Sequence, residues 1–326
     1  SAMENRVPLI QISSRAWEHP ADRAALNTLR AIPGFDEVVR KIASFFGERG
    51  VRQLFLGDAV KVTASQRPKM NRMWTEVLET LDWPERPELY VTQTPIVNAM
   101  AVGFDKPFVV VNSGMLETLT DEEVRSVLGH ELGHIMSGHP TYTTIAIILL
   151  YFGVTNLPFL AAAAIFPFQL ALLEWYRKSE FSADRAGLLT VQDLNTVMST
   201  EMKLAGGKEY GDQLRVEEFI RQAEQYETGG DAWDTVYKIL NTVMRTHPMH
   251  TVRAAELLRW HRTGSFDKIL AGDYIRRGQS DGDHPLSEDY ADAAGYYGEK
   301  TRETVDAFKT GLRGAADAVG SAWRKR

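Results

Sequence analysis

The chain contains no cysteine among its 326 residues. Disulfide bonds, thiolate metal sites and cysteine nucleophiles are therefore excluded, which is consistent with a reducing compartment. The chain also lacks a basic excess, because 43 acidic against 37 basic side chains give a formal net charge of −6. This balance argues against a nucleic-acid partner. The first residues lack the apolar run of a secretory signal, so we expect a cytoplasmic location, with peripheral attachment to a membrane left open.

Two histidines at helical spacing stand in the segment GHELGH. The segment follows Thr120 and Glu123, a capping-box pattern that begins a helix. On this helix His130 and His134 lie one turn apart on one face, so both imidazoles can bind one metal ion. Glu131 points to one side, where it can reach a water at the metal rather than the metal itself. The pattern predicts a metal centre with Glu131 as the general base; two solvated or core histidines are the alternative.

A third metal ligand is predicted in the helical segment EWYRKSEFSADRAGLL. Glu180 and Asp184 stand four residues apart on one face, between small residues that allow close helix approach. Catalytic zinc usually has three protein ligands and one open position. We therefore predict one zinc ion per chain, with Glu180 as the third ligand and Asp184 accepting a hydrogen bond from a ligating histidine. His139 is less favoured, since Ser137 and Pro140 break the longer motif that would use it. An ordinary surface helix remains the alternative for this segment.

Four segments in chain order extend this interpretation. They are NAMAVG from residue 98, VVVNSGMLETLTDEEVRSVLGHELGH ending at 134, EFSADRAG from 180 and HPMHTVR from 247. Together they resemble the gluzincin family of zinc metallopeptidases, which contains the HtpX-type heat-shock proteases, the BepA-like proteases and the type I CaaX prenyl proteases. The resemblance covers residues 88–260. It implies a zinc-dependent metalloendopeptidase that cleaves polypeptides, with a role in protein quality control.

The resemblance also implies roles for three further residues. Asn98 would bind the backbone of the substrate, and Arg253 would lie near the oxyanion of the reaction. His247 falls where relatives have a histidine that either occupies the open zinc position or helps to hold the oxyanion. A plain turn residue before Pro248 is the alternative for His247, and a surface charge is the alternative for Arg253. Two other functions stay open, an exopeptidase on the same zinc centre and a latched or inactive metal-binding protein that acts as an interaction or chaperone-like partner.

The local patterns predict an α+β fold that is mainly helical, with a zincin-like catalytic domain and a small β-sheet beside the active-site helix. Three β-prone runs supply the sheet, ELYVTQ, NAMAVGF and PFVVVN, and a loop is expected near 57–68. We predict an N-terminal helical extension over 1–86 that packs on the catalytic unit. The metallopeptidase domain follows at 87–265, and a C-terminal extension with an amphipathic helix occupies 266–326.

An apolar run without charged residues extends over 140–173. Pro158 divides it into pieces of about 25 and 22 Å, shorter than a hydrocarbon core of about 30 Å. Burial, coverage in an oligomer, association with a membrane surface and membrane spanning are the alternatives. The C-terminal segment 298–326 adds a basic amphipathic pattern that can lie on anionic lipid, with docking on its own protein as the alternative.

Overall fold

The computed structural model of the chain describes residues 5–93, 98–149, 162–206, 215–228 and 250–279. Three predicted features lie outside the described residues: His247, the amphipathic helix of 298–326, and the middle of the apolar run at 150–161.

A four-stranded sheet supports the helix that carries the histidine pair. Its strands are β1 (Ala59–Lys61), β2 (Glu88–Thr92), β3 (Ala99–Val102) and β4 (Phe108–Asn112), in the order β1-β2-β4-β3. β2 and β4 are parallel, whereas β1 and β3 each pair antiparallel with their neighbour. The three predicted runs form β2, β3 and β4. The prediction of a loop near 57–68 was wrong at β1, because a strand of three residues is too short to show an alternating pattern.

Helices make up most of the remaining described chain, which confirms the mainly helical α+β fold. They are α1 (Pro20–Arg30), α2 (Phe35–Leu56), α3 (Pro68–Thr80), α4 (Ser113–Thr118), α5 (Asp121–Met136), α6 (Pro140–Ile147), α7 (Ala162–Val191), α8 (Leu194–Gly206), α9 (Val216–Thr228), α10 (His250–Arg262) and α11 (Ser265–Leu270).

The start of α5 has the predicted capping arrangement. The Thr120 hydroxyl accepts a hydrogen bond from the backbone N–H of Glu123 at 3.3 Å and donates to its carboxylate at 2.9 Å. This contact satisfies one of the N–H groups that a helix start leaves free. At the other end Gly138 has a φ of 72°, a left-handed conformation that suits glycine. The chain turns there, directly into α6.

Small residues let α5 and α7 pack closely. A Cβ atom built on Gly133 would lie 2.4 Å from the Cβ of Ala186, and one built on Gly129 would lie 2.2 Å from Oγ1 of Thr190. The pairs run in opposite order along the two helices, so α5 and α7 are antiparallel. The small residues of α7 predicted this close approach. The structure shows that glycines of α5 are equally required.

The predicted N-terminal extension and the catalytic unit share buried side chains. The largest buried cluster contains residues from Leu9 to Tyr274. A second cluster joins α1, α2, α6 and α7, and it includes Ile148 and Phe168 from the two described ends of the apolar run. No described helix is long and apolar enough to cross a membrane. The three-part division of the chain stays a prediction.

Candidate metal centre

Three predicted metal ligands converge between α5 and α7. Nε2 of His134 lies 3.1 Å from Nε2 of His130 and 3.0 Å from Oε1 of Glu180. Nε2 of His130 lies 3.5 Å from Oε2 of the same carboxylate. All three side chains are buried. The helical spacing of four residues brings the two histidines together, and the close packing of α7 brings Glu180 to them.

The separations among these atoms suit a zinc ion. Zinc binds imidazole nitrogen and carboxylate oxygen at about 2.0–2.2 Å, usually as a tetrahedron. Two ligand atoms of such a tetrahedron are about 3.3 Å apart, by simple geometry from those bond lengths. The three observed separations, from 3.0 to 3.5 Å, bracket this value. Three nearby donors from His130, His134 and Glu180 therefore form a site that fits zinc.

The pKa shifts of the three side chains favour the binding of a cation between them. Burial alone raises the pKa of Glu180, but His130 and Arg253 lower it well below its ordinary value, so the carboxylate is an anion. Burial lowers the pKa of His134 to about 4, so this imidazole is neutral and offers a lone pair. Burial also lowers the pKa of His130, whereas Glu180 and Asp184 raise it more strongly. A proton and a metal ion compete for such an imidazole.

Asp184 orients the first histidine. Its Oδ1 lies 2.9 Å from Nδ1 of His130, on the opposite side of the ring from Nε2. A hydrogen on Nδ1 leaves the Nε2 lone pair free for a metal. Although burial raises the pKa of Asp184, the Arg253 guanidinium lowers it below its ordinary value. The carboxylate therefore remains an acceptor.

Arg253 lies in the same buried cluster rather than on the surface. Its Nε donates to Asp184 at 2.9 Å and its Nη2 donates to the other oxygen of that carboxylate at 2.6 Å. Nη1 lies 3.4 Å from Glu180, and Nη2 lies 3.3 Å from Glu201. The surface-charge alternative for Arg253 is therefore wrong. The contacts engage its guanidinium with three carboxylates, and the role near an oxyanion stays a prediction.

Glu131 lies beside the ligands without joining them. Its carboxylate is buried, and its Oε1 is 3.9 Å from Nε2 of His130. Burial raises the pKa of Glu131 to about 7. A carboxylate with such a pKa can both accept and return a proton near neutral pH, which is the requirement for a general base that later acts as an acid.

A cavity of about 130 Å³ adjoins the cluster. Asn98 lies at its edge, immediately before β3, and its backbone carbonyl accepts a hydrogen bond from the N–H of Asn112 at 2.7 Å. The other lining residues include Ala99, Met115, His130, Glu131, Glu180, Glu201, His250 and Arg253. The structure thus brings together every predicted site residue that it describes.

Two ionisable side chains that line the cavity were not predicted from the sequence. Glu201, on α8, is buried and lies 2.6 Å from Nδ1 of His250. His250 is three residues before Arg253, and this spacing places both on one face of a helix. That spacing was a usable signal for His250. No sequence signal identified Glu201, because its partners lie on another helix.

Two histidines one turn apart on one helix, with a carboxylate from a second helix, define the class of metal-dependent peptidases. The model of Peptidase family M48 matches residues 64–261, and the chain belongs to this family. The chain is therefore a metallopeptidase, as its sequence predicted.

Several curated proteins are similar to the chain. "Plastoglobule-localized metallopeptidase 48, chloroplastic" of Arabidopsis thaliana is 34% identical over 258 residues, which cover 78% of this chain and 74% of the relative. "Protease HtpX homolog" of Helicobacter pylori is 24% identical, covering 57% and 68%. "Protease HtpX homolog 2" of Methanosarcina mazei is 30% identical, covering 52% and 66%. No solved structure matches the chain significantly. These relatives agree with the HtpX-type resemblance.

Proposed function

We propose that this protein is a zinc metalloendopeptidase that hydrolyses internal peptide bonds of polypeptides in protein quality control. The observation that carries the proposal is the convergence of His130, His134 and Glu180 on one point, with the unligated Glu131 beside them. Two buried imidazole rings and a buried carboxylate in this arrangement are suited to hold zinc. Family membership and the relatives named as proteases support the peptidase chemistry. The role in quality control follows from the resemblance to the HtpX-type heat-shock proteases.

The residues of the site have distinct proposed roles. Bound zinc supplies Lewis-acid activation of water and of the scissile carbonyl. Glu131 accepts a proton from the attacking water on its carboxylate and delivers it to the nitrogen of the leaving amine, which breaks the C–N bond. Asp184 holds His130 in the tautomer whose Nε2 is free. Arg253 holds Asp184 and Glu180 in place, and its guanidinium is the proposed source of positive charge near the oxyanion.

An extended substrate is proposed to bind along β3. In the described sheet β3 is an end strand, paired on one side with β4 only. Its other side can add a strand, in which backbone hydrogen bonds hold a peptide with little dependence on sequence. Asn98 precedes β3 at the cavity and is the proposed contact to the substrate backbone. His247 is proposed to act at the same cavity, either in the open metal position or at the oxyanion, because it is close in sequence to His250 and Arg253.

The experiment measures zinc content and casein cleavage in parallel. Wild-type protein should carry about one zinc per chain. Glu131→Gln should keep that zinc and lose activity by about 10²- to 10⁴-fold, since the change removes a proton acceptor and no ligand. Glu180→Ala should lose most of the zinc. Glu122→Gln, an isosteric change in the first turn of the same helix, is the control and should preserve both quantities.

Each result separates the alternatives. A Glu131→Gln protein with undiminished turnover would exclude the mechanism. Stoichiometric zinc without cleavage of any peptide by the wild type would favour the latched or inactive metal-binding protein. Release of single terminal residues, identified by mass spectrometry of the casein products, would favour the exopeptidase.

We also propose that the chain lies in the cytoplasm and binds a membrane surface peripherally. The support is the basic amphipathic pattern of 298–326, together with a relative whose name places it at plastoglobules. Full-length protein should sediment with anionic liposomes and less so with neutral ones, and added salt should weaken the binding. A chain ending at residue 297 should lose it. Equal sedimentation of both chains would assign the binding elsewhere, and no sedimentation would refute the proposal.

A further inference from the structure

A buried carboxylate of the N-terminal region lies near the candidate metal centre, separated from it by one histidine side chain. Asp22 is in the first turn of α1 and lies outside the matched family region. Its Oδ1 accepts a hydrogen bond from Nε1 of Trp175 at 2.9 Å, and its Oδ2 accepts one from the Ser182 hydroxyl at 2.6 Å. Among the described residues no lysine or arginine pairs with it. The remaining partner is a histidine, His139, whose Nε2 lies 3.0 Å from Oδ2.

His139 connects this carboxylate to a metal ligand. Its Nδ1 lies 2.9 Å from Nδ1 of His134. The side chains of Asp22 and His139 are each only 2% exposed, so water has little access to their contact. The turn at Gly138 folds the chain back, and the backbone N–H of His139 donates to the carbonyl of His134 at 3.0 Å. The geometry thus forms a continuous chain from Asp22 through His139 to His134.

The hydrogens along this chain can be assigned from chemistry. Two nitrogens at 2.9 Å form a hydrogen bond only if one of them carries a hydrogen and the other a lone pair. With a metal bound at Nε2, the hydrogen of His134 would be on Nδ1 and would donate to Nδ1 of His139. His139 is then the acceptor at Nδ1 and carries its hydrogen on Nε2. That hydrogen is donated to Asp22.

We propose that Asp22 is a positioning residue for the metal centre, which acts on His134 through His139. The inference rests on the proposed function, since it requires zinc at His130, His134 and Glu180. Each ligating histidine is then oriented by a buried aspartate, directly by Asp184 for His130 and through one intervening imidazole for His134. Such outer contacts fix the tautomer and the ring orientation of a metal ligand.

The substitution Asp22→Asn tests the direction of the hydrogen bonds from His134 through His139 to Asp22, with almost no change in side-chain shape. The indole N–H of Trp175 can only donate, whereas the Ser182 hydroxyl can also accept. The oxygen of the new amide must therefore face Trp175, and its nitrogen must face Ser182 and His139. His139 can then no longer donate from Nε2. Its hydrogen would move to Nδ1, which would oblige His134 to accept there and to carry its own hydrogen on Nε2. That tautomer opposes metal binding at Nε2.

The measurement is the zinc affinity of the full chain by competition with a chromogenic chelator. Asp22→Asn should weaken zinc binding by about 10- to 100-fold, the usual effect of removing an outer partner of a metal ligand. The unfolding midpoint of the zinc-free protein, measured separately, reports any loss of fold. Glu256→Gln is the control: it alters the contact of His19 with α10, also from the N-terminal region, and should leave zinc affinity unchanged.

A double-mutant cycle separates a relay from a merely structural role. His139→Asn places an amide oxygen near the position of Nδ1, where it can accept from His134 without help from Asp22. In that background Asp22→Asn should no longer weaken zinc binding, because the connection is already cut. The same loss in both backgrounds would overturn the relay, as would wild-type affinity in a folded Asp22→Asn protein. A wild-type chain without zinc binding would refute the proposed function as well, whereas these two results would leave it intact.

Discussion

The close packing of α5 on α7 leads to a specific prediction for Gly133. Gly133→Ala would place a methyl group 2.4 Å from the Cβ of Ala186 and 3.6 Å from the Cα of Ala183. Carbon atoms in contact prefer about 3.5–4.0 Å. The two helices would therefore have to separate by about 1 Å, since the obstacle is a Cβ fixed to the backbone of α7 rather than the end of a flexible side chain.

The effect on stability follows from two opposing contributions. Inserting a methyl group into a tightly packed interface costs about 1–3 kcal/mol, and this contact is short enough for the upper end of that range. Alanine is about 1 kcal/mol better than glycine inside a helix. We therefore expect the free energy of unfolding of Gly133→Ala to fall by about 2 kcal/mol.

The loss of activity should be larger than the loss of stability alone would cause. Gly133 lies directly before His134, while Glu180 is on the opposite helix, so separating the helices moves a carboxylate away from the imidazoles. Metal ligands tolerate only about 0.2 Å of displacement, and a misplacement of about 1 Å can cost 10²-fold in rate. Gly133→Ala should therefore lower kcat/KM for casein by about 10²-fold and weaken zinc binding.

The assay is urea unfolding of four proteins, each also measured for zinc and activity. Ala186→Gly removes the opposing methyl group and by itself should cost about 1 kcal/mol of helix propensity. Combined with Gly133→Ala, it should restore both zinc affinity and kcat/KM, with a favourable coupling of about 3 kcal/mol between the two sites, the cost of the removed clash. A double variant no better than Gly133→Ala alone would refute the packing argument. So would a Gly133→Ala protein with unchanged stability and activity.

Two further predictions concern histidines at other positions. Burial, and then Arg185, lower the pKa of His19 to about 4, and its Nδ1 accepts the N–H of Ala21. The unfolded chain therefore binds a proton near pH 6.5 that the folded chain takes up only near pH 4. The contribution of His19 to stability, up to about 3 kcal/mol, is present above pH 6.5 and lost as the pH falls toward 4. His19→Asn keeps a helix cap and should flatten this part of the curve of unfolding free energy against pH. An equally steep curve would contradict the assignment. We expect the imidazole of His247 to occupy the open metal position, so His247→Ala should raise basal casein cleavage. A lower rate would instead indicate an oxyanion donor. An unchanged rate with unchanged zinc content would leave His247 a turn residue.

Much of the centre was predictable because its residues are close in sequence. The spacing of His130 and His134 and that of Glu180 and Asp184 both follow from the period of the α-helix. The capping residues and the apolar pattern show that α5 is a helix, and the composition excludes a thiolate site. The meeting of the two segments was a chemical inference from the number of ligands that zinc needs.

The surroundings of the ligands were not predictable in the same way. Glu201 and Asp22 are ordinary acidic residues of helices in the sequence, and no local pattern distinguishes them from residues on a solvated face. Their burial depends on which helices pack around α7, and that choice is made by side chains far apart in the chain. The environment of Arg253 is a similar case, since its three carboxylate partners lie on α7 and α8.

The sequence by itself thus determined the family, and it predicted the chemistry of the site: the histidine pair, Glu131 as the general base and Glu180 as the third ligand. Only the tertiary structure decided how each imidazole is held, through Asp184 for His130 and through His139 and Asp22 for His134. The physical reason is the range of the interactions. Helical periodicity acts over a few residues and is visible in the sequence, whereas the hydrogen-bond partner of a buried side chain is selected by packing between segments more than a hundred residues apart, as for Asp22 and His139.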